Sequence, residues 1–436
     1  MAHIAWLGKK SPFCGNVTYG LSITEALKQR GHGVSFIHFD TPASSLGRTE
    51  SMGAGGLGIG NLGIGGGGLG SVRQARAVAR SAKALAGGRV AASSPGAPGQ
   101  DGPEVALPYL VKSQVYTIPS PGAQRELRES LERLRPDLVH ASLTLSPLDF
   151  RLPDLCQQLG LPLVATFHPA FDAGLRNVAG GTQLLTYQLY APALARFDKV
   201  IVFSALQAEV LTRLGVPQER LAVIPNGVDP GLWAPATSGQ ISPQLQELQR
   251  RFSGRRVFLY MGRIATEKNV EALLRAWRLV EPQDCTLVVV GDGPARASLM
   301  QAYGEAERVL WWGYEPDQQR RLALLQLADV FVLPSLVEGL SLALLEAMAS
   351  GTACVATDAG ADGEVLEDGA GIVISTQGVT TQLRTLLPVL REQPVLTAEL
   401  GRRARARVLE RYTLERNLDA LEALYAGLIP QPLAAA

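Results

Sequence analysis

The sequence predicts an α/β protein made of two doubly wound parallel-sheet domains in tandem. Three observations predict it. Short apolar or β-branched runs alternate with stretches of helical periodicity. The alternation starts afresh after about residue 240. The 436 residues exceed one core at roughly 100–200 residues per domain.

Ala5–Leu7, Val34–His38, Leu138–Ala141, Leu163–Phe167 and Lys199–Phe203 read as strands of the first domain. Their near-continuous apolar character is that of strands covered on both faces by helices, as parallel sheets require. Val257–Met261, Thr286–Val290, Val309–Trp312, Val330–Leu333 and Cys354–Thr357 repeat the pattern. The domains are expected to meet near Pro230–Arg250, where Pro230, Pro235, Ser238, Gly239 and Pro243 break the regular pattern, giving a first domain of 1–235 and a second of 236–410.

Composition narrows the function. Hydrophobic residues at 46% and charged ones at 19% support packed cores and exclude wholesale disorder. A net charge of +1 provides no global field for nucleic acid. Four scattered cysteines, Cys14, Cys156, Cys285 and Cys354, form no C-x-x-C and point to a reducing cytoplasm. Ile4–Leu7 is too short for a secretory h-region. The run Ser51–Val72 is too rich in glycine for a membrane helix.

An insertion at about 51–102 interrupts the first domain. Residues 53–70 hold eleven glycines, which are entropically costly to order and read as a flexible loop. No acid occurs from Ser51 through Gln100, and Arg73, Arg76, Arg80 and Lys83 share one face if helical. That face suits anionic headgroups, although its alanine-rich opposite side wedges poorly into a membrane.

The chemistry is concentrated in the second half, at successive strand-to-helix turns. Gly262-Arg263-Ile264-Ala265-Thr266-Glu267-Lys268-Asn269 follows a strand, and Arg263 and Lys268 with a helix N-terminus can neutralise a diphosphate. Gly291-Asp292-Gly293 turns after the next strand, toward the crevice at the carboxyl ends of an open sheet. Glu338-Gly339-Leu340-Ser341-Leu342 then leads into an apolar helix carrying Glu346. Glu338 at the mouth can bind sugar hydroxyls and Glu346 a ribose, and the amides of Leu340 to Leu342 lie between them at the positive helix end. Alone, each turn is equally a solvated loop; in sequence within one domain they describe a nucleotide-sugar crevice.

From Val223-Ile224-Pro225-Asn226-Gly227-Val228-Asp229 through Gly262-Arg263, Lys268-Asn269, Gly291-Asp292-Gly293, Glu338 to Glu346-Ala347-Met348 and Gly351, the chain resembles the retaining glycosyltransferases of family 4. Gly31-His32-Gly33-Val34, Pro136-Asp137-Leu138-Val139-His140 and Thr166-Phe167-His168 fit upstream. The resemblance implies the GT-B fold, two Rossmann-like domains facing across a cleft, with 411–436 as a helix returning to the first domain.

It further implies that Arg263 and Lys268 stabilise the leaving diphosphate, Glu338 binds the transferred sugar, Glu346 the ribose, and His168 faces the donor sugar from the first domain. Gly15 would let backbone approach the reacting centre, Gly313 and Tyr314 would read the base, and Ser341, standing where a glycine is frequent, could reach the donor phosphate with its hydroxyl. Front-face attack with retention is implied, the leaving phosphate taking the acceptor's proton. No Asp-x-Asp occurs, so no metal or other cofactor is expected beyond the nucleotide-sugar donor.

The opening Trp6–Gly20 is similar to bacterial-type galactolipid synthases, which implies UDP-galactose or UDP-glucose as donor and monogalactosyldiacylglycerol as acceptor, with peripheral membrane contact. A soluble sugar or polysaccharide acceptor is the enzymatic alternative. A nucleotide-sugar binder or epimerase of the same fold is the other.

Overall fold

The structure, a computed structural model, describes residues 1–10, 15–40, 102–113, 116–169, 178–237, 239, 241–280, 283–304 and 308–430. The glycine-rich stretch, the face from Arg73 to Lys83 and Cys14 lie outside them.

The first domain holds β1 (His3–Gly8), β2 (Gly33–Phe39) and β3 (Val105–Leu107), a separate antiparallel hairpin of β4 (Tyr109–Lys112) and β5 (Thr117–Pro119), then β6 (Leu138–Ser142), β7 (Leu163–Thr166), β8 (Lys199–Val202) and β9 (Leu221–Val223). Its parallel sheet runs β3-β2-β1-β6-β7-β8-β9. The second domain holds β10 (Arg256–Met261), β11 (Cys285–Val290), β12 (Val309–Gly313), β13 (Val330–Leu333), β14 (Ala353–Thr357) and β15 (Ile372–Ile374), ordered β12-β11-β10-β13-β14-β15. Every run expected to be a strand is one. In each sheet the winding reverses between two neighbours, β1 and β6 or β10 and β13, and a crevice opens beyond their carboxyl ends.

Alternation along β1 shows how the first sheet is covered. Ala5 and Leu7 join one core with Val139 and Phe167, whereas Ile4 and Trp6 join the other with Val34 and Leu138. The helix Leu414–Ala426 completes the second of these with Leu418, Leu421 and Tyr425, so the end of the chain belongs to the first domain's core. Arg30 binds Asp419 (2.6 Å) and Glu422 (2.8 Å) at its rim. The Tyr425 hydroxyl meets Nδ1 of buried His140 at 2.5 Å.

The expected irregular junction differs in one part. Pro243–Arg251 is a helix, with the Ser242 hydroxyl accepting from the Leu245 amide at 3.2 Å and Leu245 and Leu248 buried in the second core. Pro243 starts this helix because proline's fixed φ and missing N–H cost nothing at the first helical position. The chain crosses between domains twice at one place, where Val228 pairs with Thr413. There the Val228 amide donates to the Tyr412 carbonyl (3.0 Å) and the Leu414 amide to the Val228 carbonyl (2.9 Å). Among the described residues no helix is long and apolar enough to cross a membrane.

Candidate active site

The turns after β10 and β13 are neighbours because those strands are the switch pair. The Leu336 amide donates to the Glu267 carbonyl at 2.8 Å, stitching the two turns together. Across this seam Lys268 Nζ reaches Glu338 Oε1 at 2.6 Å, and the Ser335 hydroxyl donates to the same oxygen at 3.0 Å. Both side chains are largely enclosed, at 21% and 11% exposure. Arg263 is more open and pairs with Glu267 at 3.3 Å, so the two expected cations hold different carboxylates. The Tyr260 hydroxyl donates to the Arg263 carbonyl at 2.6 Å and fixes the turn's start.

The turn after β11 crosses beneath this one. Gly291 has φ +136°, and a Cβ there would lie 1.9 Å from the Gly262 carbonyl oxygen, so only glycine fits. Asp292 shapes its own loop: Oδ1 accepts from the Gly293 amide at 2.8 Å and its carbonyl from the Ile264 amide at 2.9 Å. The Gly313 carbonyl accepts from the Gly291 amide at 2.8 Å, and the next residue, Tyr314, is exposed.

Beyond Glu338 the chain passes Gly339 and Leu340 to Ser341, the N-cap of the helix Leu342–Ala349. The Ser341 hydroxyl accepts from the Leu344 amide at 3.3 Å. One expectation needs correction: the amide of Ser341 does not point out to an anion, because it donates to Oδ1 of buried Asp362 at 2.9 Å. The first-turn amides of Leu342 and Ala343 still have no acceptor within the helix by position. Glu346, one turn on, is buried, which pushes its carboxyl up to about 7, with Arg321 opposing the shift.

The first domain meets this rim directly. A Cβ on Gly339 would lie 3.4 Å from the His168 carbonyl oxygen and 3.8 Å from the Phe203 ring. His168 follows β7 and is set deep in the cleft wall, though solvent still partly reaches it. Enclosure pushes its pKa down to about 3, nearby Lys9 acting in the same direction, so the ring is neutral at physiological pH. Tyr19 packs edge-on to it at 5.0 Å between centroids and Phe203 at 5.3 Å.

Its tautomer follows from the hydrogen-bond chain. The Asn16 amide group donates to the Leu143 carbonyl (3.2 Å), which leaves Oδ1 to accept from the Ser142 hydroxyl (2.7 Å). With its proton committed there, Ser142 Oγ accepts from His168 Nε2–H at 2.8 Å. Nδ1 is therefore a bare lone pair, with no partner among the described residues, ready to accept from a hydroxyl. Gly15 opens the helix Gly15–Gln29 one residue before Asn16, and a Cβ there would meet nothing within 4 Å.

Sequence reasoning missed Asn16, Ser142 and Asp362. Asn16 and Ser142 carry a weak signal, each adjoining the carboxyl end of a switch strand or the helix that follows it. Asp362 carries none, since an aspartate after Gly360 reads as an ordinary loop residue.

Comparison with known proteins agrees with this geometry. The family model described as "Glycosyl transferases group 1" matches residues 255–388, and "Glycosyltransferase Family 4" matches 68–232. The alpha-maltose-1-phosphate synthase of Mycolicibacterium smegmatis is 30% identical over 273 residues, 58% of this chain and 70% of that protein. The Escherichia coli UDP-Gal:alpha-D-GlcNAc-diphosphoundecaprenol alpha-1,3-galactosyltransferase is 28% identical over 229 residues, 50% of this chain and 57% of that one. Among solved structures, Anabaena HepE in complex with UDP-glucose superposes with a TM-score of 0.68 at 17% identity, covering 98% of this chain and 100% of HepE.

Proposed function

Because this chain belongs to the family 4 (group 1) glycosyltransferases, with the GT-B fold, we propose that it moves a hexose from UDP-galactose or UDP-glucose to a hydroxyl of a glycolipid such as monogalactosyldiacylglycerol, with retention and without a metal. The observation that carries the reading is the enclosed Lys268–Glu338 pair at the switch point, closed over by Gly339 against His168. A bound diphosphate recruits Lys268, and the freed Glu338 then takes the sugar hydroxyls. Arg263, on the open side, adds a second cation where charge develops on the leaving group. In the transfer the bond from C1 to the phosphate oxygen breaks as the bond from C1 to the acceptor oxygen forms on the same face. The acceptor's proton passes to the leaving phosphate. Neutral His168 accepts a hydrogen bond from a hydroxyl at Nδ1 and so orients sugar or acceptor without itself ionising. Glu346 meets the ribose, and the backbone of Gly313 and Tyr314 meets the base.

A membrane acceptor is supported by an apolar flank of the first domain. The helix Val178–Leu194 contains no charged residue and exposes Leu185 (65%) and Leu189 (63%), one turn apart. The hairpin of β4 and β5 exposes Leu110, Val111 and Ile118. The stretch from Leu145 through the turn Pro147–Arg151 links the two, Phe150 packing against Tyr190 at 4.6 Å between centroids and the Thr117 amide donating to the Leu145 carbonyl at 3.4 Å. Exposed apolar side chains on two adjoining elements suit an interaction site. The Escherichia coli relative, whose name gives a diphosphoundecaprenol acceptor, favours the same reading. The Mycolicibacterium relative, named for a sugar-phosphate product, favours a soluble acceptor as the second reading.

Labelled UDP-galactose and UDP-glucose, incubated with the protein with and without galactolipid vesicles, test it. Lipid-dependent label in a digalactosyl product is expected, together with loss of vesicle binding in Leu185→Glu/Leu189→Glu. Transfer only to soluble sugars would replace the lipid acceptor with the second reading. Donor turnover with no glycosylated product would identify an epimerase or a binding protein instead.

A further inference from the structure

We propose that Asp362 is a positioning residue of the donor site that works as an un-ionised acid, one oxygen fixing the Ser341 amide while the other, as a hydroxyl, is kept to donate a hydrogen bond beside Glu338 and Lys268. The proposal rests on the donor diphosphate binding at this helix N-terminus, as proposed above.

The backbone brings Asp362 there and holds it. Gly360, at φ +60°, passes so close to the turn after β13 that a Cβ would lie 2.2 Å from the Glu338 carbonyl oxygen and 2.6 Å from that of Gly339. The Ala361 amide donates to the Gly339 carbonyl at 2.8 Å. Asp362 is then wholly buried, at 0% exposure, with Oδ1 on the Ser341 amide and Oδ2 without a partner among the described residues. A carboxylate so placed would have one hydrogen bond, no exposure to bulk solvent and no counter-ion of its own, a combination proteins avoid by protonation.

The charged groups around it point the same way. From the turn after β13 it faces Glu338, a like charge. From the turn after β10 it faces Lys268, whose Nζ is committed to Glu338 at 2.6 Å. On its own segment Asp358 is occupied by the Thr376 amide at 2.9 Å, and Glu364 lies beyond it beside Glu367 and Arg407. One cation thus serves two carboxyl groups. Burial and the Glu338 charge both hold Asp362 well above the usual carboxylate range. Function supplies the second reason. An ionised carboxylate on the amide of the N-cap would cancel the positive helix end at which a diphosphate must settle; the un-ionised acid leaves that end intact and adds a donor.

UDP binding by calorimetry between about pH 6 and about pH 10 tests this, alongside infrared detection of a protonated carboxyl in the wild type. Wild-type affinity is expected to fall by up to about tenfold per pH unit once Asp362 ionises. Asp362→Ala should weaken UDP binding about tenfold or more at neutral pH, whereas Asp362→Asn, which keeps both the acceptor and a donor, should restore most of it and abolish the alkaline fall. The protonated-carboxyl band attributable to Asp362 should disappear in Asp362→Asn. Absence of that band from the wild type, or UDP binding that is pH-independent in the wild type and destroyed in Asp362→Asn, would overturn the proposal. If UDP does not bind at all while the band is present, the protonation state stands and the donor-site reading fails.

Discussion

Replacing Lys268 by methionine keeps the apolar stem and removes the charge, leaving Glu338 enclosed with only the Ser335 hydroxyl at 3.0 Å. Breaking a fully buried ion pair costs ~3–5 kcal/mol, and an exposed one contributes about 0–1 kcal/mol. At 21% and 11% exposure the pair lies toward the buried limit, so about 2–3 kcal/mol of stability should be lost. For a domain of this size that corresponds to a Tm lower by roughly 5–10 °C. Catalysis should fall by a separate amount, ~2–4 kcal/mol or about 30- to 1,000-fold in kcat/KM, if Lys268 supports the leaving diphosphate. The double variant Lys268→Met/Glu338→Gln separates the two effects: it should regain at least ~1 kcal/mol of stability over Lys268→Met by removing the orphaned charge, and regain no activity. Scanning calorimetry and initial rates measure both. A folded Lys268→Met enzyme with near-normal turnover, or a double variant no more stable than the single, would refute the reasoning.

The chain Asn16–Ser142–His168 predicts that Ser142→Ala lowers kcat/KM about tenfold through a misoriented imidazole while shifting Tm little, since the hydroxyl supports the ring rather than the core; an unchanged rate would release His168 from that role. Burial holds His140 neutral, its pKa pushed down to about 3, with the repulsion of His168 adding to it. Between about pH 6.5 and about pH 3 the unfolded chain therefore takes up a proton that the fold excludes. This contribution is complete above about pH 6.5 and is lost as pH falls, by up to ~1.4 kcal/mol per unit. Asp149 and Glu346, raised to about 6 and about 7 by burial, act with the opposite sign. Urea titrations of wild type and His140→Gln should show their stability difference narrowing from about pH 7 to about pH 4, and parallel curves would dismiss the assignment.

Strands such as Val257–Met261 and Thr286–Val290 were legible because a short continuous run of apolar, aromatic and β-branched residues is what a strand buried on both faces requires. The edge strands β3, β9 and β15, three residues each, were not, since so short a run carries no period of its own. Arg263, Lys268, Glu338 and Glu346 stood out through their turns, yet the Lys268–Glu338 contact joins residues 70 apart and depends on β10 and β13 being neighbours, which no local pattern encodes. Asp362 illustrates the same limit: its chemistry comes from burial, and burial is a property of the assembled turns.

The double crossing at Val228 and Thr413 bears on how the enzyme can move. A lobe tied to its neighbour by a single thread could swivel in any direction; one tied by two threads bonded side by side, with Gly227 packed so close that a Cβ would lie 2.4 Å from the Thr413 carbonyl oxygen, is confined to pivoting about the line that joins them. Were the cleft to open for substrate, the swing would turn about this line, and shutting it would restore the approach of Gly339 to His168. A residue larger than glycine at 227 would have to push the Thr413 segment aside, straining this crossing at a distance from sugar and phosphate.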